Sequence, residues 1–221
     1  SKIRMFTNFS HELRTPLMLI LSPLEEVLQR VDMNPNLKGS LRLVYGNAQR
    51  LLLLVNQLMD LRKNQSGNLQ LRVSHNDLYL FTQEIYIAFN QIAVKERITF
   101  RLEPDESGID AWFDRVLLEK VFFNLLSNAF KHTAPDESIT IRLQLFSVAG
   151  LQEQFPGRIS GEVRGTSRYV CLSVEDTGKG IDDSDKFHIF SPFYQGTDES
   201  ESNTAGTGIG LTLVLSIVKL H

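Results

Sequence analysis

Two asparagines and a lysine lie at helical spacing in the stretch NLLSNAFKHT, residues 124–133. Asn124 and Asn128 are four residues apart and Lys131 follows three later, so a helix places all three on nearly the same face. Amide carbonyls can bind Mg²⁺, and an ammonium group can neutralise phosphate oxygens. The spacing therefore favours a site for a metal and a phosphate group, although a polar helix face with capping side chains gives the same pattern.

Two glycine-bearing stretches could bring the backbone close to a ligand. In DTGKGI (176–181), Asp176 ends a predicted strand and can accept hydrogen bonds from an amine. In GTGIGL (206–211), alternate glycines precede a predicted helix whose first amides can bind phosphate. Neither stretch is a P-loop, and the second lacks the preceding strand and following acid of a Rossmann site. Each stretch alone also fits an ordinary turn or helix cap.

The stretch FSHELRTPL (9–17) places a nucleophile near the start of the chain. An exposed imidazole such as His11 has a pKa near ~6.5 and is largely neutral, hence nucleophilic, at neutral pH. Arg14 and Thr15 follow three and four residues later on the same helix face, where a guanidinium can stabilise phosphate charge. Glu12 directly follows His11, and because neighbouring residues do not face each other on a helix, its side chain must reach sideways to meet the imidazole ring. HELRT lacks the second histidine of an H-E-x-x-H zinc site.

The first 65 residues predict the helices that carry His11. Apolar residues recur there with heptad spacing, and DMNPN (32–36) interrupts the pattern, which predicts two long helices joined by a short turn. The second part of this seam comprises Leu37, Leu41, Val44, Ala48, Leu51, Val55 and Leu58, and the first includes Leu13, Leu17, Ile20, Leu24 and Val27. One hairpin buries only part of the stripe, so two hairpins from two chains are expected to form a four-helix bundle.

After a boundary at NQSGN (64–68) the periodicity changes. The predicted strands are 69–74, 97–103, 108–113, 138–148 and 167–177, and the predicted helices are 76–96, 114–133 and 210–221. Asn76 or Asp77 is expected to cap the first of these helices and Asp114 the second. Residues 149–165 are polar and glycine-bearing and are predicted to form a loop or hairpin excursion. This order predicts an α+β domain with helices on one face of a mixed sheet.

The composition is that of a soluble globular protein. The chain has 221 residues, 42% of them hydrophobic and 22% charged. A net charge of −3 gives no support for nucleic-acid binding. No apolar run approaches the ~18 residues of a membrane span, and the single cysteine, Cys171, cannot form an internal disulfide.

Together these stretches resemble the catalytic core of a sensor histidine kinase, and in style they are similar to kinases within large hybrid sensors. FSHELRTPL resembles the H box, NLLSNAFKHT the N box, DTGKGI the G1 box, FSPFYQ (190–195) the F box and GTGIGL the G2 box. The resemblance implies a dimerisation and phosphotransfer hairpin over 1–66, then an ATP-binding domain of the Bergerat type over 67–221. The family normally continues with further strands, so the C-terminal strands are expected to be missing here.

The resemblance also implies a role for each site residue. His11 would take the γ-phosphoryl group of ATP, Glu12 would hold the ring proton, Arg14 would stabilise phosphate charge and Thr15 would orient water in a phosphatase reaction. In the ATP site, Asn128 would bind Mg²⁺, and Asn124 and Lys131 would bind the phosphates. His132 would contact the nucleotide, and Asp176 would accept a hydrogen bond from the adenine amino group. A lid between residues 182 and 209 would be framed by five glycines (Gly178, Gly180, Gly206, Gly208 and Gly210) and anchored by two phenylalanines (Phe190 and Phe193). The two phenylalanines also fit plain core packing.

The implied function is an ATP-dependent protein-histidine autokinase that passes its phosphoryl group to an aspartate of a response-regulator receiver domain. The resemblance implies a homodimer and a cytoplasmic location. The kinase core of a membrane-anchored sensor would also lie in the cytoplasm. Two alternatives stay open: an ATPase of the gyrase and chaperone superfamily, and a dimeric scaffold with a degenerate site. The H box argues against the first, and His11, Asn128 and Asp176 argue against the second.

Overall fold

The computed structural model describes residues 2–29, 34–65, 70–156, 168–195 and 208–221. The chain falls into two compact units: Ser1–Gln70 with Phe187–Leu220, and Leu71–Lys186 with His221. The helices are α1 (Lys2–Leu28), α2 (Pro35–Gln65), α3 (Leu78–Glu96), α4 (Arg115–His132), α5 (Val148–Gln154) and α6 (Gly210–Leu220). The strands are β1 (Ser74–Asp77), β2 (Thr99–Pro104), β3 (Asp110–Phe113), β4 (Ser138–Phe146) and β5 (Tyr169–Asp176).

The first unit is helical. Helices α1 and α2 pack against each other, and α6 also contacts α2. Pro35 opens α2, and the Asn34 side chain accepts a hydrogen bond from the Asn36 N–H at 2.9 Å, so Asn34 caps this helix. The predicted turn at 32–36 lies partly outside the described residues. None of the helices described in either unit combines the length and apolar character needed to cross a bilayer.

The second unit is built on a mixed three-stranded sheet in the order β2-β4-β5. Strands β2 and β4 run parallel, and β4 and β5 run antiparallel with Ile139 opposite Asp176. Strands β1 and β3 form a separate antiparallel pair. Helices α3 and α4 share one apolar core with the strands, in which Phe122, Leu126, Ile139, Ile141 and Leu143 are fully buried. A helical hairpin followed by an α/β unit with a mixed sheet confirms the predicted fold class.

Acidic caps start the two long helices of this unit, as predicted. The Asp77 carboxylate accepts hydrogen bonds from the N–H groups of Tyr79 (2.8 Å) and Leu80 (3.1 Å). The Asp114 carboxylate accepts from the N–H of Leu117 at 3.0 Å. Each carboxylate satisfies donors that have no partner within the first turn of its helix.

Two predicted elements were wrong. Residues 69–74 alternate like a strand, yet the strand is Ser74–Asp77 and residues 70–73 have no regular structure. The N–H of Arg72 donates instead to the Asp114 carboxylate at 2.8 Å, which satisfies this donor without a strand partner. In the excursion predicted as a loop or hairpin, Val148–Gln154 forms α5, which the Ser147 hydroxyl caps by accepting from the Gly150 N–H. Residues 157–165 of that excursion lie outside the described residues.

Candidate functional site

Helix α4 carries the polar face predicted from the N-box stretch, and Asp114 fixes where this helix begins. Burial raises the pKa of the Asp114 carboxyl, but hydrogen bonds from the N–H groups of Leu117 and Arg72 outweigh it and lower the pKa below its ordinary value. Asn124 donates from Nδ2 to the Lys120 carbonyl at 2.7 Å, so this amide lies against its own helix. Asn128 is half-buried further along.

The G1 stretch forms a tight turn at the end of β5. Asp176 is the last residue of the strand and is exposed, and its Oδ1 accepts a hydrogen bond from the Gly178 N–H at 3.0 Å. Thr177 is held by β4: its N–H donates to the Ser138 carbonyl at 3.1 Å, and its Oγ1 accepts from the Ser138 N–H at 3.0 Å. The carboxylate therefore stands on a turn that is anchored on both sides.

The G1 turn and the C-terminal end of α4 are in direct contact. A Cβ atom on Gly178 would lie 2.1 Å from the His132 carbonyl oxygen and 3.0 Å from Asp176 Oδ1. Only glycine leaves room for this approach, because real Cβ atoms do not come so close to backbone. Gly180 has a different requirement: its φ is +74° with open space around it, a left-handed conformation that glycine adopts without strain. The second unit thus brings Asp176 and the last turn of α4, with Lys131 and His132, to one place.

The F-box and G2-box residues meet within the first unit. The Phe193 N–H donates to the Gly208 carbonyl at 2.8 Å, and a Cβ on Gly208 would lie 2.6 Å from the Phe193 carbonyl carbon. Phe193 has φ +65°, which is strained for an aromatic residue, and its side chain is 62% exposed. The Thr212 hydroxyl donates to the Phe190 carbonyl at 2.9 Å, and Gly210 is the first residue of α6. Gly206 lies outside the described residues.

The H-box residues lie in α1, which continues through Pro16 and Pro23. His11 and Glu12 are helical, and the orientation of their side chains lies outside what the structure describes. The half-buried guanidinium of Arg14 reaches α2, where it donates from Nε (3.0 Å) and Nη2 (2.6 Å) to Asn56 Oδ1. Thr15 is exposed. Asn56 was not predicted as a site residue; the available signal was the pair of amides, Asn56 and Gln57, in the apolar run LLLLVNQLM.

The hairpin keeps part of its predicted seam exposed. Alternate seam positions, seven residues apart, are between 37% and 54% exposed: Leu13 and Ile20 in α1, and Leu37, Val44 and Leu51 in α2. The intervening seam positions are covered to a greater extent: Leu17, Leu24, Leu41 and Val55 are half-buried and Ala48 is buried. Leu21, which lies off the predicted seam, is also buried. Val27 and Leu58, which continue the exposed series, are half-buried, so the exposed apolar stripe consists of Leu13 and Ile20 in α1 and of Leu37, Val44 and Leu51 in α2.

Two known families match parts of this chain. Residues 1–67 match the His Kinase A (phospho-acceptor) domain, and residues 113–221 match the histidine kinase-, DNA gyrase B- and HSP90-like ATPase family. This chain belongs to the sensor histidine kinases. The predicted resemblance is confirmed, and with it the predicted order of a phosphoacceptor hairpin followed by an ATPase-type domain.

Individual relatives of this kinase core agree. It is 33% identical over 224 residues to "Histidine kinase P4" of Formosa agariphila, covering 100% of this chain and 15% of the relative. The full-length ShkA structure in complex with AMPPNP aligns over 98% of this chain and 41% of its own, at 19% identity and a TM-score of 0.71. The kinase ThkA in complex with the response regulator TrrA aligns over 87% of this chain and 50% of its own, at 22% identity and a TM-score of 0.52. At these identities the two structures support the fold alone.

Proposed function

We propose that this kinase core is an ATP-dependent protein-histidine autokinase that phosphorylates His11. The observation that carries the proposal is the contact between the G1 turn and the end of α4, which places Asp176 beside the N-box residues, in a chain that also bears a phosphoacceptor hairpin. The chain spans 15% of the length of its Formosa relative, so the activity of the whole protein is part of the same proposal. A cytoplasmic location follows from ATP as the proposed substrate.

The nucleotide roles are proposed residue by residue. Asp176, at the exposed end of β5, accepts a hydrogen bond from the adenine amino group. Lys131, in the last turn of α4, neutralises the negative charge of the phosphates. Asn124, whose Nδ2 donates to the carbonyl of Lys120, is proposed to contact the phosphates together with Lys131. His132 contacts the nucleotide beside it. Gly178 and Gly180 allow the backbone to approach the nucleotide. Gly206, Gly208 and Gly210 are proposed to frame the lid, and Phe190 and Phe193 to anchor it.

Magnesium fits the donor set of α4. The described residues contain no cluster of three or more histidine, cysteine, aspartate or glutamate side chains that could hold a metal. Mg²⁺ commonly binds through one or two protein oxygens, with nucleotide phosphates and water completing its shell, so the Asn128 carbonyl is a suitable single ligand. When bound, the ion would neutralise the charge that develops on the transferring phosphoryl group.

The proposed transfer forms one bond and breaks one. An imidazole nitrogen of His11 attacks the γ-phosphorus of ATP, the bond from this phosphorus to the bridging oxygen breaks, and ADP leaves. Glu12 accepts the remaining ring proton, which keeps the phosphorylated ring neutral. Arg14 stabilises phosphate charge through guanidinium N–H groups other than the two that bind Asn56, since a guanidinium has five donors. Thr15, exposed one turn from His11, orients the attacking water when the kinase acts as a phosphatase, a separate reaction that releases inorganic phosphate.

Two protein partners belong to the proposal. The first is a second copy of this chain, bound through the exposed seam stripe that includes Val44 and Leu51, because a stripe with heptad spacing is suited to helix pairing. The second is a response-regulator receiver domain, whose aspartate takes the phosphoryl group from His11. The ThkA complex with a response regulator, a structure of the same fold, supports this choice.

The test is incubation of the chain with γ-labelled ATP and Mg²⁺, followed by acid and alkali treatment of the protein. We expect label that is lost in acid, survives alkali and disappears in His11→Ala. His75→Ala is the matched control, because His75 is an exposed histidine on β1 and should leave the label unchanged. Hydrolysis of ATP without labelled protein would instead support the ATPase alternative. Failure to bind nucleotide at all would support the scaffold.

A further inference from the structure

Thr133, the residue that follows α4, carries an orphan hydroxyl. Its side chain is buried, with 7% exposure, and its Oγ1 has no hydrogen-bond partner among the described residues. Other buried threonines are satisfied: Thr82 donates to the Leu78 carbonyl at 2.7 Å, and Thr212 to the Phe190 carbonyl. A buried hydroxyl without a partner costs free energy, and a partner that arrives with a ligand would remove this cost.

The position of Thr133 indicates which ligand could supply the missing hydrogen-bond partner. The peptide group that joins His132 to Thr133 lies against Gly178: its carbonyl oxygen and carbon are 2.1 Å and 2.9 Å from the place a Gly178 Cβ would take. Asp176 Oδ1 lies 3.0 Å from that same place. Thr133 therefore begins directly beside the carboxylate that the proposed function assigns to the adenine amino group.

We propose that the Thr133 hydroxyl is the second polar group that recognises the adenine base, acting directly or through one bound water. An ionised carboxylate can only accept hydrogen bonds, whereas a hydroxyl can also donate. The Asp176 carboxylate then accepts a hydrogen bond from the exocyclic amine, and the Thr133 hydroxyl donates a hydrogen bond to the adjacent ring nitrogen. This acceptor–donor pair matches adenine, which presents an amine next to a ring acceptor, and opposes guanine, which presents a carbonyl next to a ring N–H. The inference rests on the proposed ATP site.

Thr133→Val gives a test with two readouts of opposite direction. The substitution keeps the shape and removes the hydroxyl, so the midpoint of urea unfolding without nucleotide should stay or rise. The Kd for ATP with Mg²⁺, measured by calorimetry on the whole chain, should rise about three- to tenfold, which is the loss of one hydrogen bond. Thr133→Ser keeps the hydroxyl and should bind ATP close to the parent level. The parent chain should also bind ATP with a lower Kd than GTP, and Thr133→Val should reduce the ratio of the two Kd values.

Thr82→Val is the matched control, because its buried hydroxyl is already bonded within α3. It should lower the unfolding midpoint and leave the Kd for ATP unchanged. A Thr133→Val protein that binds ATP as the parent does would overturn the inference and leave the proposed function standing. Lower stability together with weaker binding in Thr133→Val would assign Thr133 a structural role and also overturn it. If the parent chain itself binds no ATP, the proposed function fails and this inference with it.

Discussion

Gly178→Ala should damage both the stability and the activity of this kinase core, for a steric reason. The added Cβ would lie 2.1 Å from the His132 carbonyl oxygen, which is backbone and cannot rotate away. Ordinary contacts are about 3.5 Å, so the G1 turn and the end of α4 must separate by roughly 1 Å. Overpacking of this kind costs about 1–3 kcal/mol of the free energy of unfolding. Since a 1 Å misplacement can slow a positioned reaction about 100-fold, the autophosphorylation rate should fall by up to that factor.

Urea unfolding and the initial rate of labelling from γ-labelled ATP measure the two effects. Gly108→Ala is the matched control: Gly108 lies in the same unit with φ +73° and nothing within 4 Å of its Cβ position. It should lose about 1–2 kcal/mol from left-handed strain and label at the parent rate. If Gly178→Ala unfolds at the parent midpoint and labels at the parent rate, the contact between the G1 turn and α4 is not the one described.

Three further predictions concern the elements that position the site. Arg14→Ala and Asn56→Ala should each lower the rate of autophosphorylation. Because both substitutions remove the same Arg14–Asn56 contact, the loss of rate in the double variant, expressed as free energy, should be smaller than the sum of the two single losses. Additive losses in labelling rate would contradict this. Arg97→Gly should raise the free energy of unfolding by about 0.5–1 kcal/mol, since Arg97 ends α3 with φ +57°, where glycine is preferred; an unchanged urea midpoint would refute it. The pKa of Asp114 is lowered in the folded state, so its stabilisation is present above the unfolded pKa of about 4 and is lost as the pH falls through the folded value. The difference in unfolding free energy between the parent and Asp114→Asn should therefore shrink below about pH 4 in urea titrations, and a constant difference would contradict the sign.

Local signals predicted elements whose backbone follows local rules. Asp77 and Asp114 precede apolar helical patterns, and both proved to be caps, because a carboxylate near free N–H groups satisfies them wherever the helix packs. The strand assigned to 69–74 failed for the opposite reason. Its alternation is local, but the Arg72 N–H is taken by a carboxylate 42 residues away. Sequence spacing contains no information about such a distant partner.

The site divides in the same way. The box residues of α4 and the G1 turn could be proposed from the sequence because their types and spacing suit the chemistry proposed for them. Asn56 and Thr133 could not be singled out, since what distinguishes them is a contact across the hairpin in one case and a missing hydrogen-bond partner in the other. Both properties exist only once the chain is folded. The resemblance to the boxes implied no role for either residue, although Thr133 is the last residue of the N-box stretch.

Gly178 in the second unit and Gly208 in the first unit each matter for spacing as well as for backbone conformation. Gly178 lets the G1 turn touch the backbone at the end of α4, and Gly208 lets the G2 stretch touch the backbone of Phe193 in the same manner. In both cases a missing Cβ allows two stretches that are separated in sequence to approach each other's backbone closely. These contacts join the box stretches in pairs, N box with G1 box and F box with G2 box. Because phosphoryl transfer depends on positioning, a substitution at either glycine should disable the partner motif whose own sequence is intact.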